Sequence, residues 1–365
     1  MGGIGAAYYP NYAGFIQAYF NPANAAKVAA NYLNTVEVSL NLSAAEALNY
    51  LESLSPELQA ALYVLPAYFD ELKMSGRDYN NPTAPDFGSY RRGFAALNLL
   101  FPAASYTGDI DLSGALVNGN FVSGQITTAR DGSIQLLAPG GPITVGQPNG
   151  TASLKSGVTT VRGGSISTYS AGSVEVNQSR MATLGGGSII IWAGNTDPAK
   201  VPNPPLDKIA NIDAGKGSKT ELVAPPQAFL IDDATADIGL DPAAVATGNG
   251  IATLPAVKGA PPADIDLIAP DGTVNASDAG IRVSGNFNVA ALHVITNGNV
   301  TVAGTSVGIP TVIAPNIGGL TAASNTAGAS SNAAEQVANQ AATQTQQQEL
   351  PSLITVEVLG YGGGE

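Results

Sequence analysis

Residues 263–304 read ADIDLIAPDGTVNASDAGIRVSGNFNVAALHVITNGNVTVAG, and this stretch indicates the fold. Short runs of alternating aliphatic or β-branched residues are each closed by Gly, Asn, Asp or Pro. One such phrase cannot bury its apolar face alone, so the phrases are expected to stack into a solenoid of β-strands. Similar phrases stand upstream at 108–114 (GDIDLSG), 132–141 (GSIQLLAPGG), 163–179 (GGSISTYSAGSVEVNQS) and 185–194 (GGGSIIIWAG).

The spacing of equivalent apolar positions predicts the kind of solenoid. A coil of ~20–24 residues with three short strands is what a parallel β-helix requires, since each strand takes a few steps of ~3.3 Å before a turn. The alternative is a β-sandwich with Asn-Gly hairpin turns, but most turns here are longer and irregular. We therefore expect a mainly β protein with a parallel β-helix over 106–315. The spacings are 24 residues for Ile110 to Ile134, 23 for Ile166 to Ile189, 22 for Ile265 to Phe287 and 21 for Ile281 to Val302.

Several stretches depart from this pattern. The Pro-rich stretch 195–209 and the strand-poor stretch 225–262 are expected to be irregular insertions in the coil. Residues 316–350 are rich in Gly, Ala, Ser, Asn and Gln, which is typical of a flexible linker. After it, residues 351–365 hold the alternating run ITVEV, which predicts a C-terminal strand that pairs with an open edge.

Residues 1–105 carry most of the aromatic residues and show helical periodicity, so they are expected to form an α-helical subdomain that caps or flanks one end of the solenoid. Apolar spacing predicts a helix over 23–33. Ser43 followed by Glu46 is a capping box that begins a helix ending near Leu54. A helix beginning at Ser55-Pro56 is expected to bend at Pro66 and to end at Ser75-Gly76, and another covers Arg91–Leu100.

Composition narrows the functional classes. The 365 residues carry a formal net charge of −13, and only 12% are charged. Nucleic acid and anionic membranes are disfavoured as partners, because no basic stripe is present to bind phosphates. The chain has no cysteine, which excludes disulfides and thiolate sites. No apolar run is long enough for a transmembrane helix, and the N-terminus lacks the features of a secretory signal, so we expect a fragment of a longer protein.

The residues that could carry chemistry each have a simpler structural explanation. The carboxylate pairs could bind a cation or act as acid and base, but Asp beside a turn more often accepts from local backbone N–H groups. His293, the only histidine, lies within a predicted strand, and a structural position is favoured over catalysis. Trp192 and the aromatic residues of 8–20 could bind sugars, although packing is favoured for both. Gly163, Gly164 and Gly185–Gly187 lack phosphate-loop context and are expected at tight corners with positive φ. We therefore assign no catalytic, cofactor or metal residues. The carboxylate pairs considered are Asp109/Asp111, Asp232/Asp233 and Asp264/Asp266.

Several phrases, in one order over about residues 10–310, resemble the C-terminal domain of very large filamentous-haemagglutinin-like exoproteins. The resemblance implies a right-handed β-helical shaft in a secreted or surface-displayed adhesin of Gram-negative bacteria, exported by two-partner secretion. It supplies no catalytic residues, and the 195–209 loop is longer than the usual turn there. The phrases include SPELQAALYVLPAYFDELKMSGRDY (55–79), YRRGFAALNLLFP (90–102), YTGDIDLSG (106–114), VEVNQSRMATLGGGSIIIWAGN (174–195) and NIDAGKGSKTELVAPP (211–226).

The expected function is a non-enzymatic structural and adhesive module at the cell surface, with a role in cell adhesion or biofilm. One alternative is an anchoring or assembly module that engages the outer-membrane export partner, surface glycans or another copy of itself. A second alternative, a carbohydrate-active β-helix enzyme, would require carboxylates converging in a groove.

Overall fold

A computed structural model describes most of the chain up to residue 310. The described ranges are 10–20, 43–103, 106–118, 120–122, 124–129, 132–148, 157–222, 228–232, 237–240, 246–256 and 259–310. They fall in one compact unit within Met1–Pro310. The expected helix at 23–33, the linker at 316–350 and the strand at 351–365 therefore lie outside the described residues. The boundary placed at residue 105 stays a prediction.

The chain is mainly β, with five α-helices among the described residues. The helices are α1 (Tyr12–Tyr19), α2 (Ala44–Ser53), α3 (Pro56–Gln59), α4 (Leu65–Asn80) and α5 (Arg91–Leu100). A π-helical turn, Ala60–Val64, joins α3 to α4, and a 3₁₀ turn covers Leu206–Lys208. The strands up to residue 213 are β1 (Ile110–Leu112), β2 (Ala115–Val117), β3 (Asn120–Val122), β4 (Gln125–Thr128), β5 (Ile134–Ala138), β6 (Ile143–Val145), β7 (Gly157–Thr160), β8 (Ile166–Ser170), β9 (Val174–Glu175), β10 (Arg180–Thr183), β11 (Ile189–Ala193) and β12 (Ile212–Asp213). The later strands are β13 (Glu221–Leu222), β14 (Ala228–Asp232), β15 (Asp237–Leu240), β16 (Ala246–Thr247), β17 (Gly250–Thr253), β18 (Ile265–Asn275), β19 (Ile281–Val283), β20 (Phe287–Ile295), β21 (Val300–Val302) and β22 (Ser306–Val307).

The strands stack in three parallel rows, which we call faces. The first face has the order β4-β7-β10-β17-β19-β21. The second has β5, β8, β11, the first half of β18, the first half of β20, and β22. The third has β1, β6, β9, β12 and the second halves of β18 and β20. Each turn of the chain thus adds one strand to each face, which fits the expected β-helix. Antiparallel pairs, as a sandwich requires, are confined within the described residues to β2–β3, β13–β16 and β14–β15.

The register confirms two of the four predicted spacings. Ile166 pairs with Ile189, and Ile265 pairs with Phe287. The spacing from Ile110 to Ile134 is wrong, because Ile110 lies on the third face and pairs with Ile143 there. The spacing from Ile281 to Val302 is too long by two residues, because Ile281 pairs with Val300. A two-residue shift keeps the same side chains pointing inward, so alternation alone does not detect it.

Aliphatic side chains fill the inside of the coil, and threonines form hydrogen bonds across the corner between the first and second faces. The inner cluster includes Ile143, Val158, Ile189 and Ile265, all fully buried. Each of β4, β7, β10 and β17 ends in a threonine whose hydroxyl donates to a carbonyl at the next corner. The donor–acceptor pairs are Thr128 to Gly132 (2.6 Å), Thr160 to Gly164 (2.8 Å), Thr183 to Gly187, and Thr253 to Ala263 (2.9 Å). These bonds satisfy hydroxyls that would otherwise be costly to bury.

The insertions differ in part from expectation. Residues 195–209 do form a loop between β11 and β12, with one 3₁₀ turn. The stretch 225–262 is not wholly irregular, because residues 250–253 form β17 and complete the first face between β10 and β19. Gly-Ile-Ala-Thr lacks the alternation of the other phrases, and its burial on every residue shows a strand enclosed on both sides.

The predicted first residues of the described helices are confirmed, whereas the predicted end of α4 is wrong. Ser43 and Glu46 form the capping box, Pro56 stands at the start of α3, and α5 has the predicted bounds. The π-helical turn ends at Val64, two residues before Pro66, and the missing proline N–H interrupts the helical ladder there. Helix α4 runs through Ser75-Gly76 to Asn80, because tertiary packing there requires a small residue.

Helices α4 and α5 lie on the outer side of the second face rather than at one end of the stack. Outward-facing Tyr169, Trp192, Ile268 and Ala290 share a buried cluster with the helical aromatics. A Cβ on Gly76 would lie 2.5 Å from Ile268 Cγ1, and one on Gly93 would lie 2.4 Å from Trp192 Cη2. Glycine therefore allows both helices to approach the sheet closely.

Candidate functional site

A row of polar residues marks the corner where the chain enters the second face, and we call it the corner ladder. The members are Ser133, Ser165, Ser188, Asp264, Asn286 and Thr305. In each coil the backbone N–H donates to the side-chain oxygen of the ladder residue in the coil before. The N···O distances are 3.1, 3.2, 3.1, 2.8 and 3.0 Å along the row. The ladder thus bonds each coil to the next outside the strands.

Arg77 of α4 binds both carboxylates of the pair Asp264/Asp266. Its Nε donates to Asp266 Oδ1 over 2.8 Å, and its Nη2 contacts Asp266 Oδ2 over 2.8 Å and Asp264 Oδ2 over 3.0 Å. Asp264 Oδ1 is left for the ladder bond from Asn286. The pair therefore anchors a helix to the coil, and we call the three residues the Arg77 clamp.

Within the clamp, burial of Asp266 and the charge of Arg77 have opposite effects on the pKa of Asp266. The Asp266 side chain is 1% exposed, whereas Arg77 is 38% and Asp264 is 26% exposed. Burial raises the pKa of Asp266, and the hydrogen bond and charge of Arg77 only partly offset this. The hydrogen bonding that Arg77 donates to Asp266 is the main cause that raises the pKa of Arg77. The clamp is a bound ion pair and not a free acid–base pair.

A cleft of about 430 Å³ lies beside the clamp, between the end of α4 and the last coils. Its wall is rich in carboxamides, and Asn80 Nδ2 donates to Asn288 Oδ1 (2.9 Å) and to the Val289 carbonyl (2.8 Å). Asn288 is only 8% exposed, and its Nδ2 has no hydrogen-bond partner. We call this space the amide cleft. Its polar lining is Arg77, Asn80, Asn81, Asp264, Asn286, Asn288 and Thr305.

The other predicted carboxylates do not join this site. Strand β1 with Asp111 is separated from β18 by β6, β9 and β12, so the two pairs do not converge. Asp111 accepts from the Ser113 N–H over 2.8 Å, and the Ser113 hydrogen bonds lower its pKa. Asp111 thus accepts from a local backbone N–H two residues further on, which is the structural role preferred for it from the sequence. The exposed Asp109 precedes β1. The Asp232 side chain and Asp233 lie outside what the structure describes.

The packing explanation is confirmed for Trp192, and His293 lies where a strand was predicted. Trp192 is fully buried, and its Nε1 donates to the Gly194 carbonyl over 2.8 Å. Its ring meets Phe94 edge-on, with centroids 5.4 Å apart. His293 is exposed on β20, paired in register with Thr273. Neither is positioned with a carboxylate pair.

Packing also accounts for the N-terminal aromatics that the structure describes. Phe15 is fully buried and stacks on Tyr19 at 5.2 Å. The Tyr19 hydroxyl donates to Glu71 Oε1 over 2.6 Å, and Glu71 also pairs with Arg92. Tyr8 and Tyr9 lie outside the described range.

Glycine is required at these corners for two different reasons. Gly163, Gly164 and Gly186 have positive φ, as predicted. Gly187 is instead required by space, since a Cβ there would lie 1.7 Å from the Gly164 carbonyl oxygen. Neither cause involves a ligand.

Asp271 is a buried acid that sequence reasoning missed. It stands at the corner between the two halves of β18, is 3% exposed, and neither carboxylate oxygen has a hydrogen-bond partner of normal geometry. Burial raises its pKa, against a smaller lowering by nearby backbone N–H groups of Asp271 and Ala210. No group of three or more acidic or histidine residues that could hold a metal occurs in the described part of the chain. Within that part, no helix is long and apolar enough to cross a membrane.

The family comparison agrees with this architecture. Residues 208–311 match a family model described as "Filamentous haemagglutinin family outer membrane protein". Over this segment the chain is similar to that family. The resemblance drawn from the sequence is thereby confirmed for the part that carries β12 to β22, less than a third of the chain. The description supports the expected extracellular or cell-surface location. Comparison with curated proteins and with solved structures gave no match.

Sequence reasoning missed the two residues of α4 that build the site. Arg77 and Asn80 lie beyond the expected helix end, so they had been left outside any element. The available signal was their spacing of three, which places both on one face if the helix continues past Gly76. The unpaired Asp271 had no signal, because a Pro-Asp-Gly triplet reads as an ordinary turn.

Proposed function

We propose that residues 106–310 form a right-handed parallel β-helix that serves as a non-enzymatic structural and adhesive module of a large surface protein. The right-handed sense follows the rule that parallel β connections are right-handed in about 98% of cases. The adhesin role and export by two-partner secretion follow the family similarity over 208–311.

One observation carries the structural part of this proposal. The polar residues that could have formed an active site are used as links between coils or between helix and coil. Asp264 and Asp266 are held by Arg77, and the corner ladder bonds successive coils. A carbohydrate-active enzyme needs a carboxylic acid and a carboxylate set for the scissile bond, and the clamp leaves neither free.

Surface display is tested with an antibody raised against residues 195–209, a loop whose central residues are exposed. We expect labelling of intact cells that express the native gene. Permeabilised cells serve as the positive control, and an antibody against a cytoplasmic protein serves as the negative control. Labelling only after permeabilisation would contradict surface display.

The non-enzymatic part is tested with the purified chain and a panel of neutral and acidic polysaccharides. We expect no release of reducing ends above that of a heat-unfolded sample. Chain cleavage that disappears on unfolding would refute the proposal. Anchoring to an export partner stays a prediction, because it was based on residues 316–365, outside the described range.

A further inference from the structure

The loop at residues 195–209 interrupts the corner between the second and third faces. In the coil before, only residues 171–173 stand between β8 and β9, and in the coil after, β18 continues through the corner as one strand. The residues at the two ends of the loop, Gly194 and Ala210, are both buried. Asp271 of β18 lies against both of them, and we call these three residues the loop neck.

The carboxyl group of Asp271 fills the space between the two ends of the loop. A Cβ on Gly194 would lie 3.0 Å from Asp271 Oδ1 and 3.5 Å from Ala210 Cβ, so the three residues meet at one point. The backbone of β18 also approaches the returning end of the loop closely, since a Cβ on Gly272 would lie 1.9 Å from the Ala210 carbonyl oxygen. Any outward movement of the loop must therefore begin at Asp271.

This carboxyl group is buried beside groups that do not balance its charge. Asp271 is 3% exposed, and neither oxygen has a hydrogen-bond partner of normal geometry among the described residues. Tyr90, just before α5, has a buried hydroxyl that is likewise unpartnered; burial, Tyr79 and Asp271, in that order, raise its pKa and keep it neutral. The acid of β12, Asp213, accepts from Gly215, Asn275 and Ser277. The cations of α4, α5 and the loop pair with other acids, in the pairs Lys73–Asp70, Arg77–Asp264, Arg77–Asp266, Arg91–Asp86, Arg92–Glu71, Arg92–Asp78, Lys200–Asp197 and Lys208–Asp207.

Ionisation of a carboxyl group in this position works against the closed neck. Burial raises the pKa of Asp271, and the backbone N–H groups of Asp271 and Ala210 lower it by less. When the neck opens, water reaches the carboxyl and its pKa falls towards about 3.9. The ratio of open to closed neck therefore grows as pH rises through this interval, by up to about tenfold for each unit between the two pKa values.

The loop is built to move as one piece about the neck. The backbone hydrogen bonds described for residues 195–209 lie within the loop, such as those from Val201 to the Asp197 carbonyl and from Lys208 to the Pro205 carbonyl. Leu206 is 87% exposed and Val201 is 43% exposed, so the loop displays apolar side chains to solvent. Opening of the neck would change how these side chains are presented without breaking the loop itself.

We propose that Asp271 is a pH-sensitive latch of the loop neck, closed while its carboxyl group is neutral and loosened when that group ionises. The loop is therefore held against the coil in acid and gains mobility towards neutral pH. One proton passes from the carboxyl group to solvent, and no covalent bond changes. The latch is not required by the structural and adhesive role, and it can fail while that role stands.

The test measures the mobility of the loop as a function of pH in the full chain. The chain has no cysteine, so Asn203→Cys places a single nitroxide label at the exposed centre of the loop. Electron paramagnetic resonance then gives the ratio of mobile to immobile label between about pH 4.5 and pH 7.5. We expect this ratio to rise severalfold in a one-proton transition, and Asp271→Asn to keep the low-pH ratio throughout. A label at Thr301→Cys, on the exposed side of β21, is the control and should not respond to pH.

Three results would overturn the proposal. The first is a loop mobility that does not change with pH in the parent, which needs no variant at Asp271. The second is a transition that persists in Asp271→Asn, or in Asp271→Ala should circular dichroism show the first variant to be unfolded. The third is loss of the transition when Asp197→Asn and Asp207→Asn are combined, since the acids of the loop itself would then be responsible.

Discussion

Replacing Arg77 by Met should expose the cost of the buried charge on Asp266. The substitution keeps an apolar stem for packing but removes the guanidinium that binds both carboxylates. Removing one partner of a buried ion pair costs about 3–5 kcal/mol. Arg77 is 38% exposed and Asp264 is 26% exposed, and solvent screens both charges. We therefore expect Arg77→Met to lower the free energy of unfolding by about 2–3 kcal/mol at neutral pH.

The loss should depend on pH in a defined direction. Burial already raises the pKa of Asp266, and Arg77 is the main influence that lowers it. Without Arg77 the pKa rises further above its unfolded value of about 3.9. A carboxyl with a raised folded pKa is neutral in the folded state at low pH, and its cost grows as pH rises from the unfolded to the folded pKa. The difference in unfolding free energy between the parent and Arg77→Met should therefore be largest at neutral pH and should shrink towards pH ~4.

Urea unfolding followed by circular dichroism measures this effect in the parent, Arg77→Met, Asp266→Asn and the double variant. We expect the double variant to recover at least half of the single-variant loss at neutral pH, because no buried charge remains. Arg91→Met is the matched control, since Arg91 is 75% exposed in its pair with Asp86, and its effect should stay within about 0.5 kcal/mol. A loss that does not change with pH, or no recovery in the double variant, would refute the reasoning.

Three further substitutions test the corner, the helix contact and the buried acid. Thr183→Val should lower the unfolding free energy, measured by urea titration, by about 1–2 kcal/mol, because the buried Gly187 carbonyl loses its hydrogen-bond donor. The control Thr301→Val, at an exposed position, should change it by less than about 0.5 kcal/mol. Gly93→Ala should destabilise by a net ~1 kcal/mol, as overpacking against Trp192 outweighs better helix propensity, and thermal melts of a Trp192→Phe background should show a smaller loss. Asp271→Asn should be more stable than the parent at pH 7.5 and not at pH 4.5, since the raised pKa of the parent carboxyl costs stability only as pH rises; an equal gain at both pH values would count against a buried charge.

The strand positions were predictable because each phrase carries its own alternation and turn residues. The strands at 281–283 and 300–302 have the expected bounds. Strands β10 and β17 were missed, since Arg-Met-Ala-Thr and Gly-Ile-Ala-Thr do not alternate and are buried throughout. A recurring Thr-x-x-x-Gly-Ser-Ile at 128–134, 160–166 and 183–189 would have revealed β10, because it marks the corner that follows each first-face strand.

The helix end could not be predicted from local sequence. Ser75-Gly76 is a sound helix stop by propensity, and Gly costs about 1 kcal/mol relative to Ala inside a helix. In the structure Gly76 lies against Ile268, a residue nearly two hundred positions away, and α4 continues. The contact that overrides propensity is non-local, and the candidate site depends on it because Arg77 and Asn80 follow.

The corner ladder supplies the register information that the apolar pattern lacks. Pairing Ile281 with Val300 or with Val302 would place an aliphatic side chain inside in either case. A shift of two residues, however, would move the Thr305 N–H away from Asn286 Oδ1 and break that bond. At 264 the ladder residue changes from Ser to Asp, and a carboxylate has two oxygens. Oδ1 accepts the next coil's N–H while Oδ2 accepts from Arg77, so one substitution in the repeat both keeps the coil in register and anchors the helix that walls the amide cleft.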